Sequence, residues 1–331
     1  MGHYQLMPNR KILVVLNAGR RDSGPDDELL ASMETKLRSS GYEFELAISR
    51  QAEDAEQLFR DMQAKGFTEV WVAGGDGSIN HAVNQIGESG MVMGIVPMGT
   101  INALAQALRI PQDPLEAIDY LLNAPVTAMD LGKVASRYFI CYATVGLHAS
   151  IFHNINVDLK KRWGKLAFYE SAIRSLLHKS TLARFRLKFE ELDKNGKAYI
   201  PSRVRTERGY SFILTNVANY AGFGIVLDNQ KPFCSGYFEL HHFRQNLLKP
   251  MLRWFARLKF WKTKTSNHKE GTVLYRLSQC RVTSHRPLFL QIDGEPITQR
   301  NPRYLLFQCI KGGIKILLQP AIASQTTGNN E

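Results

Sequence analysis

Residues 72–80, Val-Ala-Gly-Gly-Asp-Gly-Ser-Ile-Asn, join an apolar segment, Glu69–Ala73, to a helical pattern, Ile79–Ile86. The apolar segment has the length and composition of a buried parallel strand. Three glycines within four positions let a backbone approach a bulky anion closely. We expect Ser78 to cap the helix, whose free N–H groups and positive dipole end would face the same anion. The junction therefore predicts a phosphate-binding loop; the alternative is an ordinary tight turn.

Asp76 is the unexpected residue of this first loop, because its carboxylate lies among groups that are arranged for phosphate. Two like charges are tolerated at such a place if Mg²⁺ lies between them. We therefore interpret Asp76 as a residue that binds a catalytic Mg²⁺ through the nucleotide or handles a proton. The alternative is an ordinary acidic residue in the first turn of a helix.

A second loop of the same kind joins the strand Met93–Val96 to the helix Ile101–Leu108. Gly99 and Thr100 form its turn, and we expect Thr100 and Asn102 to donate hydrogen bonds to phosphate or base. Both loops would leave the carboxyl ends of parallel strands, where open α/β sheets bind ligands. A plain helix cap is the alternative for this loop.

The same edge of the sheet would carry the turn Asn17–Gly24, which follows the strand Lys11–Leu16. Arg20 or Arg21 in this turn could reach phosphate oxygens. Ser49 follows the second strand and would lie on the same edge. The three turns together predict a crevice for a nucleotide.

The order of elements predicts two structural regions. Strands and helices alternate up to about residue 127, which is typical of a doubly wound α/β domain. Short segments rich in β-branched and aromatic residues follow, which predicts a mostly antiparallel β domain. These segments are Tyr138–Thr144, Phe185–Phe189, Tyr210–Asn216, Tyr237–Phe243, Gln279–Thr283, Leu288–Ile292 and Tyr304–Cys309. Helical patterns at Lys160–Leu177 and Pro250–Lys262 interrupt them.

The composition favours an anionic partner. Lys and Arg number 42 against 30 Asp and Glu, for a formal net charge of +12. Such a charge suits a nucleotide, a nucleic acid or an acidic membrane, but no nucleic-acid-binding motif accompanies it. No apolar run is long enough to span a bilayer, and scattered cysteines suit a reducing cytoplasm.

The motifs together resemble the diacylglycerol kinase catalytic family, which includes bacterial soluble lipid kinases and the sphingosine and ceramide kinases. The resemblance rests on Asn17–Gly24, Gly74-Gly75-Asp76-Gly77-Ser78, Pro97–Asn102, Asn219–Gly224 and Asp293-Gly294-Glu295. It implies a phosphofructokinase-like or NAD kinase-like α/β domain at 1–127, to which roughly 304–331 return, and a lipid-binding β-sandwich domain at 128–303. It also implies a kinase that uses ATP and Mg²⁺ in the cleft between the two domains.

The resemblance also assigns roles to individual residues. Glu295 would be the catalytic base that accepts a proton from the lipid hydroxyl, with Asp293 and Gly294 as supporting residues. Glu295 and Asp76 would act together in catalysis. The residues expected to bind the nucleotide are Asn17, Ser49, Gly74, Gly75, Asp76, Gly77, Ser78, Gly99, Thr100 and Asn102. The expected partner is a lipid at an anionic membrane surface, with no nucleic acid; a homodimer stays open.

Three positions depart from the family pattern. Ser78 replaces the usual Thr, and Ala103 replaces an Asp that many members carry. Ser235-Gly236 stands where some bacterial members have an Asp-Gly step that binds a structural Mg²⁺, which puts that metal in doubt. Two other functions remain open. One is a soluble-metabolite kinase of the NAD kinase type, and the other, which Ala103 and Ser235 suggest, is a catalytically weak regulator that binds nucleotide or lipid.

The segment Pro250–Lys262 has two interpretations. On a helix, one stripe would carry apolar side chains and the opposite face would carry Arg253 and Arg257. The stripe consists of Met251, Trp254, Phe255, Leu258 and Trp261. Such a helix suits a membrane interface. A core helix that packs this stripe on the β domain suits the sequence equally well.

Overall fold

The computed structural model describes eight stretches of the chain, and every structural statement below concerns them. They are residues 10–17, 27–49, 52–153, 184–193, 195–217, 233–243, 272–297 and 302–319.

The first region is a parallel sheet with helices, as the alternating pattern predicts. Its strands β1 to β4 lie in the order β4-β3-β1-β2, and they are Lys11–Asn17, Glu43–Ser49, Glu69–Gly74 and Val92–Pro97. Its helices α1 to α5 are Asp27–Ser39, Ala52–Ala64, Asp76–Ile86, Ala103–Ala107 and Pro114–Leu122. Strands β3 and β4 are buried along their whole length, which explains why their sequences are continuous apolar runs.

The second region is rich in antiparallel strands. It begins with β5 (Val126–Val134), β6 (Arg137–Phe139) and β7 (Tyr142–Gly146), and the helix α6 (Leu147–His153) follows. The strands β8 to β12 are Phe185–Leu192, Ala198–Gly209, Ser211–Thr215, Phe238–Phe243 and Thr272–Leu277. The strands β13 to β16 are Gln279–Ser284, Leu290–Ile292, Glu295–Ile297 and Tyr304–Leu317.

Each region has its own buried core, one around the parallel sheet and one inside the antiparallel strands. The second core contains the stacked rings of Phe139 and Phe238, and Phe307 packs edge-on against Phe139. The predicted fold class, an α/β domain of the doubly wound type followed by a β-rich region, is confirmed.

The long strand β16 joins the two regions. Its first half pairs antiparallel with β13, from Tyr304 opposite Thr283 to Gln308 opposite Gln279. Its last residues pair parallel with β4 of the first sheet, at Lys315 and Ile316. Strand β5 pairs antiparallel along most of its length with β16. One continuous sheet therefore runs from the parallel strands of the first region into the antiparallel strands of the second region.

Several sequence predictions fall outside the described residues. These are Arg20 and Arg21, the segment Asn219–Gly224, and the helical patterns Lys160–Leu177 and Pro250–Lys262. Among the helices that the structure describes, none is long and apolar enough to cross a membrane.

Candidate active site

The first glycine loop is a direct junction between β3, which ends at Gly74, and α3, which begins at Asp76. Gly75 is the N-cap, so the prediction that Ser78 caps this helix is wrong. Ser78 lies inside the first turn, and its Oγ accepts a hydrogen bond of 2.7 Å from Asn17 Nδ2. The helix starts earlier than expected because the motif's own residues form its first turn. Its first N–H groups, which have no acceptor within the helix, are therefore contributed by the motif.

The two glycine loops lie against each other, backbone to backbone. A Cβ added at Gly99 would lie 2.6 Å from the Cα of Gly75. The N–H of Met98 donates a 3.0 Å hydrogen bond to the carbonyl of Gly74. A side chain at either glycine would force the loops apart. The result is a surface of peptide groups with little side-chain cover, which suits close approach by phosphate oxygens.

Asn102 braces the second loop instead of facing a ligand, contrary to the expectation that its side chain donates to phosphate or base. Its Oδ1 accepts from Gly99 N at 2.8 Å, and its Nδ2 donates to Gly99 O at 3.1 Å. Both ends of the amide are thus bonded within the loop, and the residue is buried. The backbone of Asn102 has a φ of 52°, a left-handed conformation that asparagine tolerates better than most residues. Thr100, by contrast, is exposed.

Asp76 connects the first loop to the second. Its Oδ1 accepts a hydrogen bond of 3.3 Å from the backbone N–H of Leu104, in the first turn of α4. The N-cap residue of α4, Asn102, makes no side-chain cap, so Asp76 satisfies one of the free donors of that helix from outside. No hydrogen bond to Asp76 Oδ2 from another described residue is present. That oxygen is the one available for a cation.

Glu295 lies beside the first glycine loop, although 218 positions of sequence separate it from Gly77. Strands β14 and β15 form a hairpin in which Ile292 pairs with Glu295, and the two-residue turn is Asp293-Gly294. A Cβ added at Gly77 would lie 3.1 Å from Glu295 Oε1. The structure thus brings the late Asp-Gly-Glu motif and the early glycine motif together, as the resemblance implies.

The carboxyl group of Asp293 is buried and fully hydrogen-bonded, although part of the residue reaches solvent. Oδ1 accepts from the N–H groups of Cys141 and Tyr142, and Oδ2 accepts from the N–H of Ile140 and from Asn80 Nδ2. Burial raises the pKa of Asp293 to about 6, while these four donors pull it in the opposite direction. The left-handed backbone of Asp293 and Gly294, with φ of 45° and 91°, makes the turn tight. Asp293 therefore holds the hairpin that carries Glu295.

Helix α3 is fastened to the β-rich region by two asparagines on one face. Asn80 donates to Asp293 Oδ2 at 3.0 Å. One turn later, Asn84 Oδ1 accepts from the N–H of Tyr138, and Asn84 Nδ2 donates to the carbonyl of Tyr138. The helix that begins at the glycine motif is thereby held rigidly against the hairpin of Glu295. Neither asparagine was predicted as a site residue, and only the i, i+4 spacing on the helix could have indicated a shared face.

The remaining predicted nucleotide residues lie on the same edge of the parallel sheet. Asn17 is the last residue of β1 and pairs with Ser49, the last residue of β2. Ser49 is buried and Asn17 is exposed. The described strand ends therefore bring Asn17, Ser49 and the two glycine loops to one side of the sheet.

Ser235 lies at a separate buried cluster around Asp130. The Oγ of Ser235 donates to Asp130 Oδ2 at 3.1 Å, and the N–H of Gly236 donates to the same oxygen at 2.6 Å. The N–H of Gly312 donates to Asp130 Oδ1. Protein donors thus satisfy this carboxylate, and no group of three or more His, Cys, Asp or Glu that could hold a metal occurs among the described residues.

Comparisons with known proteins agree with the resemblance to the diacylglycerol kinase catalytic family. Residues 11–134 match the sequence model of the diacylglycerol kinase catalytic domain. A diacylglycerol kinase of Staphylococcus saprophyticus is 27% identical over 263 residues, which cover 78% of this chain and 81% of that protein. A diacylglycerol kinase of Staphylococcus carnosus is 26% identical over 270 residues, covering 81% and 83%. A crystal structure of a diacylglycerol kinase from Bacillus anthracis superposes with a TM-score of 0.68 at 15% identity, covering 96% of this chain and 100% of that one.

Proposed function

Since the resemblance to the diacylglycerol kinase catalytic family is confirmed, we propose that this chain is a lipid kinase that transfers a phosphoryl group from ATP to a lipid hydroxyl. The substrate class is a diacylglycerol or a sphingoid lipid, which presents a free primary hydroxyl near the polar surface of a membrane. The reaction takes place in the cytoplasm at that surface.

The observation that carries the proposal is the position of Glu295 beside Gly77. A carboxylate from the β-rich region lies within 3.1 Å of the position that a Cβ on Gly77 would take, in the first turn of the helix that follows the glycine motif. A base at this place can accept the hydroxyl proton beside the phosphates. In the transfer, the lipid oxygen loses its proton to Glu295 and bonds to the γ-phosphorus, and ADP leaves as the bridging bond breaks.

The two glycine loops supply the site for the phosphates. The backbones of Gly74, Gly75, Gly77 and Gly99 and the exposed Thr100 present polar groups without bulk, next to the first N–H groups of α3. Asn17, Ser49 and Ser78 flank them at the ends of the neighbouring strands. Most of the rate enhancement in phosphoryl transfer comes from positioning and charge neutralisation, and a rigid backbone cradle supplies the positioning.

The residues at this site suit a Mg²⁺ ion. Asp76 offers a carboxylate oxygen beside the phosphate loops, and carboxylate and phosphate oxygens are the ligands that Mg²⁺ prefers. When bound, the ion neutralises charge on the phosphates. The other carboxylate oxygen, Asp76 Oδ1, accepts the hydrogen bond from the N–H of Leu104. This bond fixes the orientation of the carboxylate.

A panel of acceptors with labelled ATP tests the proposal. We expect label in diacylglycerol, sphingosine or ceramide that is dispersed in detergent micelles, and none in NAD. Label in NAD alone would support the soluble-metabolite kinase, and nucleotide binding without transfer to any lipid would support the regulator. Glu45→Gln serves as a matched control for Glu295→Gln, because Glu45 is an exposed residue of β2 outside the site.

A further inference from the structure

The outer face of strands β9, β8, β13 and β16 carries a concentration of cations. Arg186 on β8 lies directly opposite Arg208 on β9, and Lys188 on β8 lies directly opposite Arg281 on β13. Residues directly opposite in an antiparallel pair project from the same side of the sheet. All four side chains belong to exposed residues. We call this surface, defined by Arg186, Lys188, Arg208 and Arg281, the basic face.

The cations of the basic face have no partners among the residues that the structure describes. Adjacent strands lie about 4.8 Å apart, well inside the screening distance of about 8 Å at physiological salt. Like charges directly opposite each other destabilise a sheet. Glu190 lies on the same face, two residues beyond Lys188, but its carboxylate accepts a hydrogen bond from Ser202. The fold therefore carries an unfavourable arrangement that an anionic partner would relieve.

Apolar side chains are exposed on the same face. Val204, opposite Glu190 on β9, is 59% exposed, and Tyr304, opposite Thr283 at the start of β16, is 53% exposed. They are two of the six large hydrophobic residues that the structure shows exposed. Exposed aliphatic and aromatic groups at the border of a group of cations suit the boundary between lipid headgroups and acyl chains.

We propose that the basic face docks this protein on the surface of an anionic phospholipid bilayer. The inference rests on the proposed function in one respect only, namely that the substrate is a membrane lipid. A nucleic-acid duplex would satisfy the cations as well, but its phosphate surface offers no apolar region for Val204 and Tyr304. The combination of the two kinds of side chain on one face favours the bilayer.

The test compares two variants that remove two positive charges each. Lys188→Gln/Arg281→Gln alters the basic face, and Arg60→Gln/Lys65→Gln alters exposed positions at the end of α2 and just beyond it. Binding of the full chain, without ATP, is measured by flotation with vesicles of phosphatidylcholine alone and of phosphatidylcholine with phosphatidylserine. Each cation near an anionic surface contributes about fivefold, so we expect the basic-face variant to bind the anionic vesicles roughly 25-fold more weakly. We expect the control variant to bind like the unaltered chain, and high salt to mimic the basic-face variant.

Three results would overturn this proposal. The two variants could bind anionic vesicles equally, or the unaltered chain could bind both kinds of vesicle equally. In the third result, the basic-face variant would lose binding to duplex nucleic acid while its binding to anionic vesicles stayed intact. Thermal unfolding checks that both variants fold. Because the substitutions remove the repulsion between Lys188 and Arg281, the basic-face variant should be at least as stable as the unaltered chain. Phosphorylation of micellar lipid separates the two proposals. If the chain phosphorylates micellar lipid but does not bind anionic vesicles, the proposed kinase activity stands and the proposed docking face is wrong. If it binds the vesicles but phosphorylates no lipid, the docking face stands and the kinase activity is wrong.

Discussion

The amide of Asn80 donates a 3.0 Å hydrogen bond to the buried carboxylate of Asp293, across 213 positions of sequence. Asn80 belongs to the helix that starts at the glycine motif, and Asp293 belongs to the turn that carries Glu295. The bond therefore fixes the distance between the two halves of the candidate active site.

Removal of this bond is expected to shift the pH dependence of turnover. The pKa of Asp293 is about 6, and the bond from Asn80 lowers it. The ionised form accepts all four donors, so turnover should fall as the pH drops through about 6. Asn80→Ala removes one lowering contribution, so the acid limb of the pH–rate profile should move to higher pH. Asn123→Ala, at the exposed end of α5, should leave the profile unchanged. A profile that is identical in all three proteins would contradict the role of Asp293.

Asp76 has two functions that different substitutions separate. Asp76→Asn keeps an oxygen for the N–H of Leu104 but loses the charge, so turnover should be lost while the fold persists. Asp76→Ala also removes the bond to α4, and the loss of a helix cap costs about 1 kcal/mol. We expect the Ala variant to be less stable than the Asn variant by about that amount in chemical denaturation. An Asn variant as active as the unaltered chain would exclude a role for the Asp76 charge.

Glu295→Gln preserves the size and hydrogen bonding of the side chain but removes its ability to accept a proton. Turnover on lipid should fall by about 100-fold or more, the scale expected for a general base, with ATP affinity nearly unchanged. Glu45→Gln on the exposed side of β2 provides the matched control. If Glu295→Gln keeps most of its lipid-dependent turnover, Glu295 is not the base and Asp76 is the remaining candidate.

Two glycine substitutions should have different effects, one on turnover and the other on stability. A methyl at Gly77 would meet only Glu295 Oε1, at 3.1 Å, whereas a methyl at Gly99 would meet the Gly75 Cα at 2.6 Å. Gly77→Ala should keep or raise the free energy of unfolding, since Ala is the better helix former by about 1 kcal/mol. Its turnover should fall by about tenfold, because the methyl displaces the base. Gly99→Ala should be destabilised by about 1–3 kcal/mol through overpacking. Normal turnover in Gly77→Ala would contradict the contact.

The elements that the sequence predicts best are those whose residues act locally. The buried strands β1, β3 and β4 are apolar runs, and the two glycine loops follow β3 and β4 as expected. Strand β9 was not predicted, because it is an exposed edge strand whose charged residues show no alternating apolar pattern. The first turn of α3 was not predicted, because glycine is a poor helix former.

The contacts that complete the site depend on distant partners. Nothing near Asn80 in the sequence indicates Asp293, and nothing near Gly77 indicates Glu295; only the resemblance to the family linked the two motifs. The brace of Asn102 on Gly99 requires a left-handed backbone, which the sequence does not specify. The side chain of Asn102 was therefore expected to face a ligand when it in fact supports the loop.

The position of strand β16 in the sheet affects how the protein folds during its synthesis. Residues 314–317 lie between β4 and β5 in the finished sheet, although β4 is synthesised more than 200 residues earlier. Nascent domains generally fold in order as they leave the ribosome. Here the first region, which contains the parallel sheet, lacks a strand until residue 317 has emerged. The two glycine loops therefore reach their final support only after translation of β16, and any stop codon before it leaves both regions incomplete.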